Sequence, residues 1–429
     1  MKILLKNANV IAHTGEVLSS CDIKIDGVTI IDIGKALQPD DGSEIMDCTD
    51  KFVTPTFVNM HTHSPMNIFK GIAEDVNIDD WFNKEIWPYE SKMQDEDIYW
   101  GAKLAACEML QNGISAFADH YFNSELIANA CEETGIKADI AYTIFGFGGN
   151  CDKELALAKS FFEKYKSSAT ISPRFGPHSP YICTPEVLKT VVDAAKECGS
   201  GIHIHVSETK VQVEESKKQH GGKTPFEVLN DAGGFDVPCI VGHGLWLEEG
   251  DIKFLKQDTC FAECPKTYMK LGMSKGPLWD LKDNLNITSG TDGAASSNSL
   301  DVLEQMRFFA LIGKFNDNSE SFTLKEIWHY LMNGHNYLRF NSGKVEIGYS
   351  ADLNIWDLNT ISTAPVYNPL ASIIYSANAA TNITDTIING KFIKRHGKLT
   401  FDTTEVVKNA SRCAKEIYKR GKGKSSLYF

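Results

Sequence analysis

Eight short runs rich in strand-forming residues, spaced by longer stretches of helical periodicity, constrain this 429-residue chain more than any other feature of its sequence. The runs are "FVNMHTH", "ISAFADHYF", "KADIAYTIF", "ATISPRFGPH", "GIHIHVSET", "CIVGHGLWL", "TCFAECP" and "LNITSGTDG". Between them Asp95 to Asn112, Ser124 to Thr134, Lys153 to Lys166, Pro185 to Cys198 and Leu300 to Lys314 read as amphipathic helices. Strands that alternate with helices run parallel through crossovers, and eight such units close into a (β/α)8 barrel of the TIM type, an α/β fold. The chain is too long for one simple core. Its start alternates apolar and polar residues over "KILLKNANVIAH" and "DIKIDGVTIIDIG", and the same strand-and-turn style returns in "GKVEIGYSADLNIWDL" and "TDTIINGKFIKRHGKLT". The two flanks are therefore expected to pair as a composite β-sandwich from residues 1–55 and 346–400, around a barrel at 56–345. A helical tail at 401–429 follows, and its basic end "KRGKGKSSLYF" is expected to fray.

The barrel gives the polar residues a common address, because reacting groups in such folds sit at the carboxyl ends of the strands. His61 and His63 end the first run, and their two-residue spacing in an extended strand sends both imidazoles to one face. His178 follows the fourth run, His205 and Glu208 end the fifth, His243 ends the sixth and Asp292 the eighth. Nitrogen and carboxylate ligands in this mixture suit zinc or ferrous iron, and three histidines with one aspartate leave a position for water. A water so held loses a proton near neutral pH and becomes a nucleophile. Taken singly, a histidine at a strand end is more often a hydrogen-bonding core or surface residue than a ligand. The pairing of His61 with His63 argues the other way. His203 reads as a packing residue one layer deeper, Asp119 and His120 as supporting or structural groups, and Cys260 and Cys264 as inert thiols.

Charge and composition exclude other classes. A formal charge of -13 leaves no surface for phosphate backbones or anionic membranes, which need clustered Lys and Arg, so the expected partner is a small molecule and neither nucleic acid nor membrane. No apolar run reaches the roughly 18 residues a bilayer span requires. Eleven cysteines without a C-x-x-C pair, and no secretory pattern in "MKILLKNANV", point to reduced thiols in a cytoplasm.

"MHTHSPMNIFKGIAEDVNIDDWFNKEIWPYE", "FGPHSPYICT", "IHIHVSET", "VGHGLWL" and "SGTDGAASSNSLDVLEQMR" together resemble the amidohydrolase superfamily, and within it the 5-methylthioadenosine/S-adenosylhomocysteine deaminase family. The resemblance runs from the N-terminal strands to about Lys394. It implies one zinc held by His61, His63, His205 and Asp292, a ligand set that ferrous iron and manganese also accept. It further implies substrate contacts from Glu208 and His178, a ribose contact from Glu90, and His243 beside the metal-bound water. Related barrels commonly form dimers or tetramers. The implied reaction is hydrolytic deamination of an adenosine-type nucleoside, methylthioadenosine, S-adenosylhomocysteine or adenosine, to the inosine analogue and ammonia. Relatives in the same superfamily act on other rings, namely guanine, pterins, cytosine or chlorinated triazines, and a third reading is a scaffold that has lost its chemistry.

Beside the resemblance, the chemistry can be argued directly. Adding hydroxide at the amino-bearing carbon of adenine requires a proton for the neighbouring ring nitrogen, and Glu208, three residues past His205, reaches over the metal to supply it. Its duller role is an exposed carboxylate capping the next helix. Asp292 serves as base as well as ligand, and His243 as a hydrogen-bond partner of the attacking oxygen. Glu90 accepts two hydrogen bonds at once, which matches the vicinal hydroxyls of a ribose and favours a nucleoside over a free base. Trp81 and Trp87 are stacking candidates in a wall over the ligand. Two departures from the family pattern stand out. Family members read H-[NC]-P-x-S-N-x-K-L after the seventh strand; here "ECPKTYMKL" puts Glu263 in the histidine place and Thr267-Tyr268 for Ser-Asn, a carboxylate that draws a cationic or donor-rich ligand. Where the family carries arginines for a homocysteine carboxylate, this chain has Ile144 and, near the second position, Lys153. That favours a less charged adenosine derivative. Replacing His61 by Ala is expected to lower bound metal and turnover together, and full metal occupancy measured in that variant would remove His61 from the ligand set.

Overall fold

Runs of β-branched and aromatic residues bounded by Gly, Pro and Asp become strands because they fit a pleated, buried surface. The computed structural model describes residues 1–421 and 423, so the end of the tail expected to fray lies outside the described residues. The eight expected runs form the strands Phe57–Thr62, Ile114–Tyr121, Lys137–Ile144, Ile171–Pro177, Ile202–Val206, Cys239–His243, Thr259–Glu263 and Ile287–Ser289. They lie in sequence order in one sheet, each parallel to the next. Every strand but the third is buried at all its positions, as a parallel sheet with both faces covered requires. The last strand meets the first where the backbone N–H groups of Thr291 and Asp292 both donate to the His61 carbonyl, at 2.9 and 3.0 Å. This closure brings Asp292 beside His61, 231 positions away in the chain.

The crossover helices begin where the sequence supplies caps. Gln94 and Asp97 exchange bonds in a capping box ahead of the helix Asp95–Gln111, and Thr184 caps Pro185–Glu197. Thr209 caps Lys210–Gln219 through the Gln212 N–H, while the Gln212 side chain accepts from the N–H groups of Glu208 and Thr209. The cap is therefore Thr209, and the carboxylate of Glu208 is left free to face the barrel mouth.

Both chain ends contribute to a second, mixed sheet of nine strands around its own core of Ile3, Leu5, Ile23, Val53, Leu353 and Ile387. Phe52–Pro55 bridges the two ends, parallel to Lys2–Ile11 on one side and antiparallel to Leu353–Trp356 on the other. The tail helix Thr404–Arg420 packs back on the barrel, with Arg420 paired to Asp97 at 2.7 Å and Tyr418 stacked on Tyr89 at 5.9 Å.

One ion pair locks sheet to barrel. Lys137, in the third barrel strand, meets Asp352 with both side chains at most 1 % exposed, and Asp352 also accepts from the Asn389 N–H and the Ser350 hydroxyl. Removing one partner leaves an uncompensated buried charge. Asp352→Ala is expected to cost about 3–5 kcal/mol in urea unfolding, whereas Lys137→Met with Asp352→Leu recovers most of it. A single-variant loss below about 1 kcal/mol would mean that water already solvates the pair.

Candidate metal centre and active site

Three imidazoles converge because each is tied down at its far nitrogen. His63 Nδ1 lies 2.7 Å from the His120 carbonyl and His205 Nδ1 lies 2.9 Å from the His178 carbonyl. A carbonyl only accepts, so both Nδ1 atoms carry the proton and both Nε2 atoms present a lone pair. His61 Nδ1 is 2.8 Å from His203 Nε2, and its own Nε2 is buried without a partner. His205 Nε2 stands 3.3 Å from His63 Nε2, and Asp292 Oδ1 lies 3.3 Å from His63 Nε2 and 3.8 Å from His61 Nε2. The donor atoms of His61, His63 and Asp292 all fall within 4.8 Å of one another, as do those of His61, His205 and His243. Two bare imidazole nitrogens and a third that is buried without a partner, gathered around one carboxylate oxygen, fit a divalent ion.

The backbone and its neighbours make room for this cluster. A Cβ on Gly242 would lie 3.0 Å from the His61 ring, and one on Gly290 would lie 3.1 Å from His61 Cβ, so a side chain at either position would press on His61. Ser207, His243 and Asp292 hold φ values of 48°, 74° and 58°, left-handed backbone that costs a non-glycine residue on the order of 1–3 kcal/mol. All three lie at strand ends where chemistry needs a side chain turned inward. Asp292 is steadied through Oδ1 by the Gly293 N–H at 2.7 Å and through Oδ2 by the Ser296 hydroxyl at 2.9 Å. Ser296 in turn meets Thr267 at 2.9 Å.

Glu208 Oε1 lies 3.7 Å from His243 Nε2, and its Oε2 accepts from the Tyr181 hydroxyl at 3.4 Å. Burial raises its pKa above the ordinary carboxylate range. Glu90 is 6 % exposed, accepts from the Tyr121 hydroxyl at 2.6 Å, and is likewise raised by burial. His178 sits against Phe145 at 5.2 Å with Nδ1 2.9 Å from the Ser179 hydroxyl. The structure thus gathers His61, His63, His178, His205, Glu208, His243 and Asp292 at one mouth. Lys153 stands apart, exposed on the first turn of the helix Cys151–Tyr165. Trp81 is buried and Trp87 half exposed in the segment before Glu90. Glu263 is fully buried and accepts from the Tyr268 hydroxyl at 3.2 Å, so its carboxyl is turned to a group of its own chain.

The supporting partners were harder to foresee. His203 is indeed one layer deeper, but as the hydrogen-bond partner of His61; its alternation with His205 was the available signal. The carbonyls of His120 and His178 carry no sequence signal. A cavity of about 500 Å³ lined by Ser172, Arg174, Gly201 and Pro238 opens at the amino ends of the strands, away from the metal donors, and its Arg174 is committed to Asp139.

Residues 52–393 match the model of the Amidohydrolase family. The chain belongs to that family. Among relatives of this amidohydrolase, a 5-methylthioadenosine/S-adenosylhomocysteine deaminase of Thermococcus sibiricus is 36 % identical over 92 % of this chain and 94 % of its own. A 5'-deoxyadenosine deaminase of Methanobrevibacter smithii is 35 % identical over 98 % of this chain and 99 % of its own. Among solved structures, an adenosine deaminase from Xanthomonas campestris with bound zinc superposes with a TM-score of 0.92 at 26 % identity, covering 97 % of this chain and 98 % of that one.

The amidohydrolase site also sets a pH limit on stability. Burial holds the His61, His203 and His205 rings far below the ordinary imidazole value of 6.5, His178 at about 3 and His243 at about 4. Below about pH 6.5 the unfolded chain binds more protons than the folded one, so stability present above that pH drains away as pH falls toward the folded values. In metal-free protein the urea midpoint is expected to drop between about pH 7.5 and about pH 5.5 at constant slope. An unchanged midpoint would show that these rings are already solvated.

Proposed function

We propose that this amidohydrolase is a zinc-dependent aminohydrolase that converts an adenosine-type nucleoside to the inosine analogue and ammonia. The observation that carries this reading is Glu208. A part-buried carboxyl with a raised pKa stands at the rim of a pocket of three imidazoles and one carboxylate, 3.7 Å from His243. His61, His63, His205 and Asp292 would hold the ion. A divalent ion in such a site lowers the pKa of its water toward 7 and makes a nucleophile available at neutral pH.

The remaining work falls to side chains of this chain. Glu208, protonated, gives its proton to the ring nitrogen next to the amino-bearing carbon, so that the carbon–oxygen bond can form without negative charge building on the ring. His243 Nε2 hydrogen-bonds the attacking oxygen and sets its direction. Asp292 takes one proton from the attacking water and returns it to the amine, the carbon–nitrogen bond breaks, ammonia leaves, and the proton remaining on the new oxygen passes to Glu208 as the carbonyl forms. Glu90, held at one oxygen by Tyr121, keeps acceptor capacity for ribose hydroxyls. His178 serves as a substrate contact. Ile144, fully buried, offers no charge for a homocysteine carboxylate, and Lys153 lies exposed, apart from the gathered site residues. A nucleoside with a small, uncharged 5'-substituent therefore fits better than S-adenosylhomocysteine. We carry the same family resemblance to assembly as a dimer or tetramer.

Zinc-loaded protein should release ammonia from adenosine, 5'-deoxyadenosine and methylthioadenosine faster than from S-adenosylhomocysteine, and not from guanine, cytosine or pterins. Reaction with free bases alone would remove Glu90 from ribose recognition. Because Glu208 acts in its protonated form, kcat/KM is expected to fall as pH rises through its raised pKa, and Glu208→Gln to lower turnover by about 10²- to 10⁴-fold.

A further inference from the structure

The segment after the seventh barrel strand, where Glu263 and Tyr268 replace the family's histidine and asparagine, reaches the site through a chain of hydrogen bonds. Tyr268 is 2 % exposed, and three groups surround its hydroxyl. The Cys264 N–H donates to it at 3.2 Å, Glu263 Oε2 lies 3.2 Å away, and His243 Nδ1 lies 3.3 Å away. A tyrosine hydroxyl has one hydrogen and two lone pairs. Cys264 fills one lone pair. Glu263 Oε2 has Tyr268 as its side-chain donor; where Oε2 accepts that hydrogen, with any proton of the buried carboxyl on its unpartnered Oε1, the second lone pair is open only to a proton on His243 Nδ1. The consequence appears at the far side of the ring, where Nε2 is left bare and faces Glu208.

We propose that Glu263 and Tyr268 are positioning residues that hold His243 in the Nδ1-protonated tautomer, so that its Nε2 accepts a hydrogen bond from the attacking water instead of donating one. The proposal rests on the aminohydrolase reading for its catalytic meaning, but the tautomer itself is a property of the free protein. The opposite tautomer would instead donate from Nε2 to a lone pair of the attacking oxygen, and so engage electrons that the new carbon–oxygen bond needs. Burial strengthens the lock, because Glu263 is fully buried and no water competes for Tyr268. His243 has no alternative anchor of comparable quality: its backbone is in the left-handed region, and its Nε2 is 3.7 Å from Glu208, too far for a direct hydrogen bond. Neither Glu263 nor Tyr268 needs to touch the substrate for this role.

Tautomer and turnover can be measured separately. Nitrogen-15 spectra of histidine-labelled, zinc-loaded protein, with the His243 signals assigned by their loss in His243→Asn, should show a protonated Nδ1 and an unprotonated Nε2. Tyr268→Phe preserves the ring and its packing, so thermal unfolding should stay close to that of the parent while the two nitrogen signals move toward a tautomer mixture. Turnover should fall by roughly 10- to 100-fold with KM within about twofold, a smaller effect than the complete tautomer reversal that costs a serine hydrolase about 10⁴-fold. Glu263→Gln keeps an acceptor for the tyrosine and should stay within about threefold of the parent, whereas Glu263→Leu, which lets the hydroxyl turn its hydrogen toward His243, should fall with Tyr268→Phe. A protonated Nε2 in the parent protein would overturn the proposal, as would unchanged nitrogen signals in Tyr268→Phe or equal losses in the Gln and Leu variants. If the nitrogen signals behave as expected but no nucleoside is deaminated, the tautomer lock stands and the assigned reaction fails.

Discussion

The anchoring of each imidazole at its far nitrogen is the constraint on which the rest of this site depends. Two backbone carbonyls and one deeper ring fix the orientations of His63, His205 and His61, and with the rotation fixed the Nε2 atoms of three residues from two distant strands face one point. Without those partners the same histidines would be polar groups in a core, each costing free energy and free to turn away. The carbonyls belong to His120 and His178, residues at the ends of neighbouring strands. The parallel register of the sheet is therefore what supplies the acceptors. Fold and ligand geometry are one device.

Closure of the barrel is the second half of that device. The last strand is only three residues long, yet the Thr291 and Asp292 N–H groups both end on the His61 carbonyl. That pair of bonds places a carboxylate against two imidazoles and turns its backbone into the left-handed region. Glycines at 242 and 290 give the His61 ring the space it occupies. Around this centre the other groups sit at or just past strand ends: Glu208 after the fifth strand, Glu90 in the short helix Trp87–Glu90 after the first, Glu263 at the end of the seventh and Tyr268 in the helix Pro265–Lys270 that follows it. Groups at the carboxyl ends of strands and in the segments that follow them are where a barrel of this kind carries its chemistry.

Much of this was legible in advance for identifiable reasons. The eight strands announced themselves because a strand buried on both faces must be a continuous run of strand formers, and the helices because their caps and periodicity are local. His61 and His63 were legible because a two-residue repeat in a strand needs no tertiary information. Glu208 was less so. Nothing within the sequence distinguishes a carboxylate that caps a helix from one that faces a cleft, and the decision came from Thr209 and Gln212 taking the capping bonds instead.

What the sequence determined by itself is the alternation of strand and helix, the positions of the donors at strand ends, and an acidic, small-molecule-binding character. These follow from period, residue type and charge, which act over a few residues. Only the tertiary structure decided which nitrogen of His63 and of His205 is free, that His203 meets His61 rather than merely packing, and that Glu263 is bound to Tyr268 instead of reaching for a ligand. The histidine outcomes depend on partners 27 to 142 positions away in the chain, and the Glu263–Tyr268 bond on how the helix after the seventh strand folds back over its end. A hydrogen bond is directional and short-ranged, so its partner is set by how strands align and not by what stands next to it in sequence.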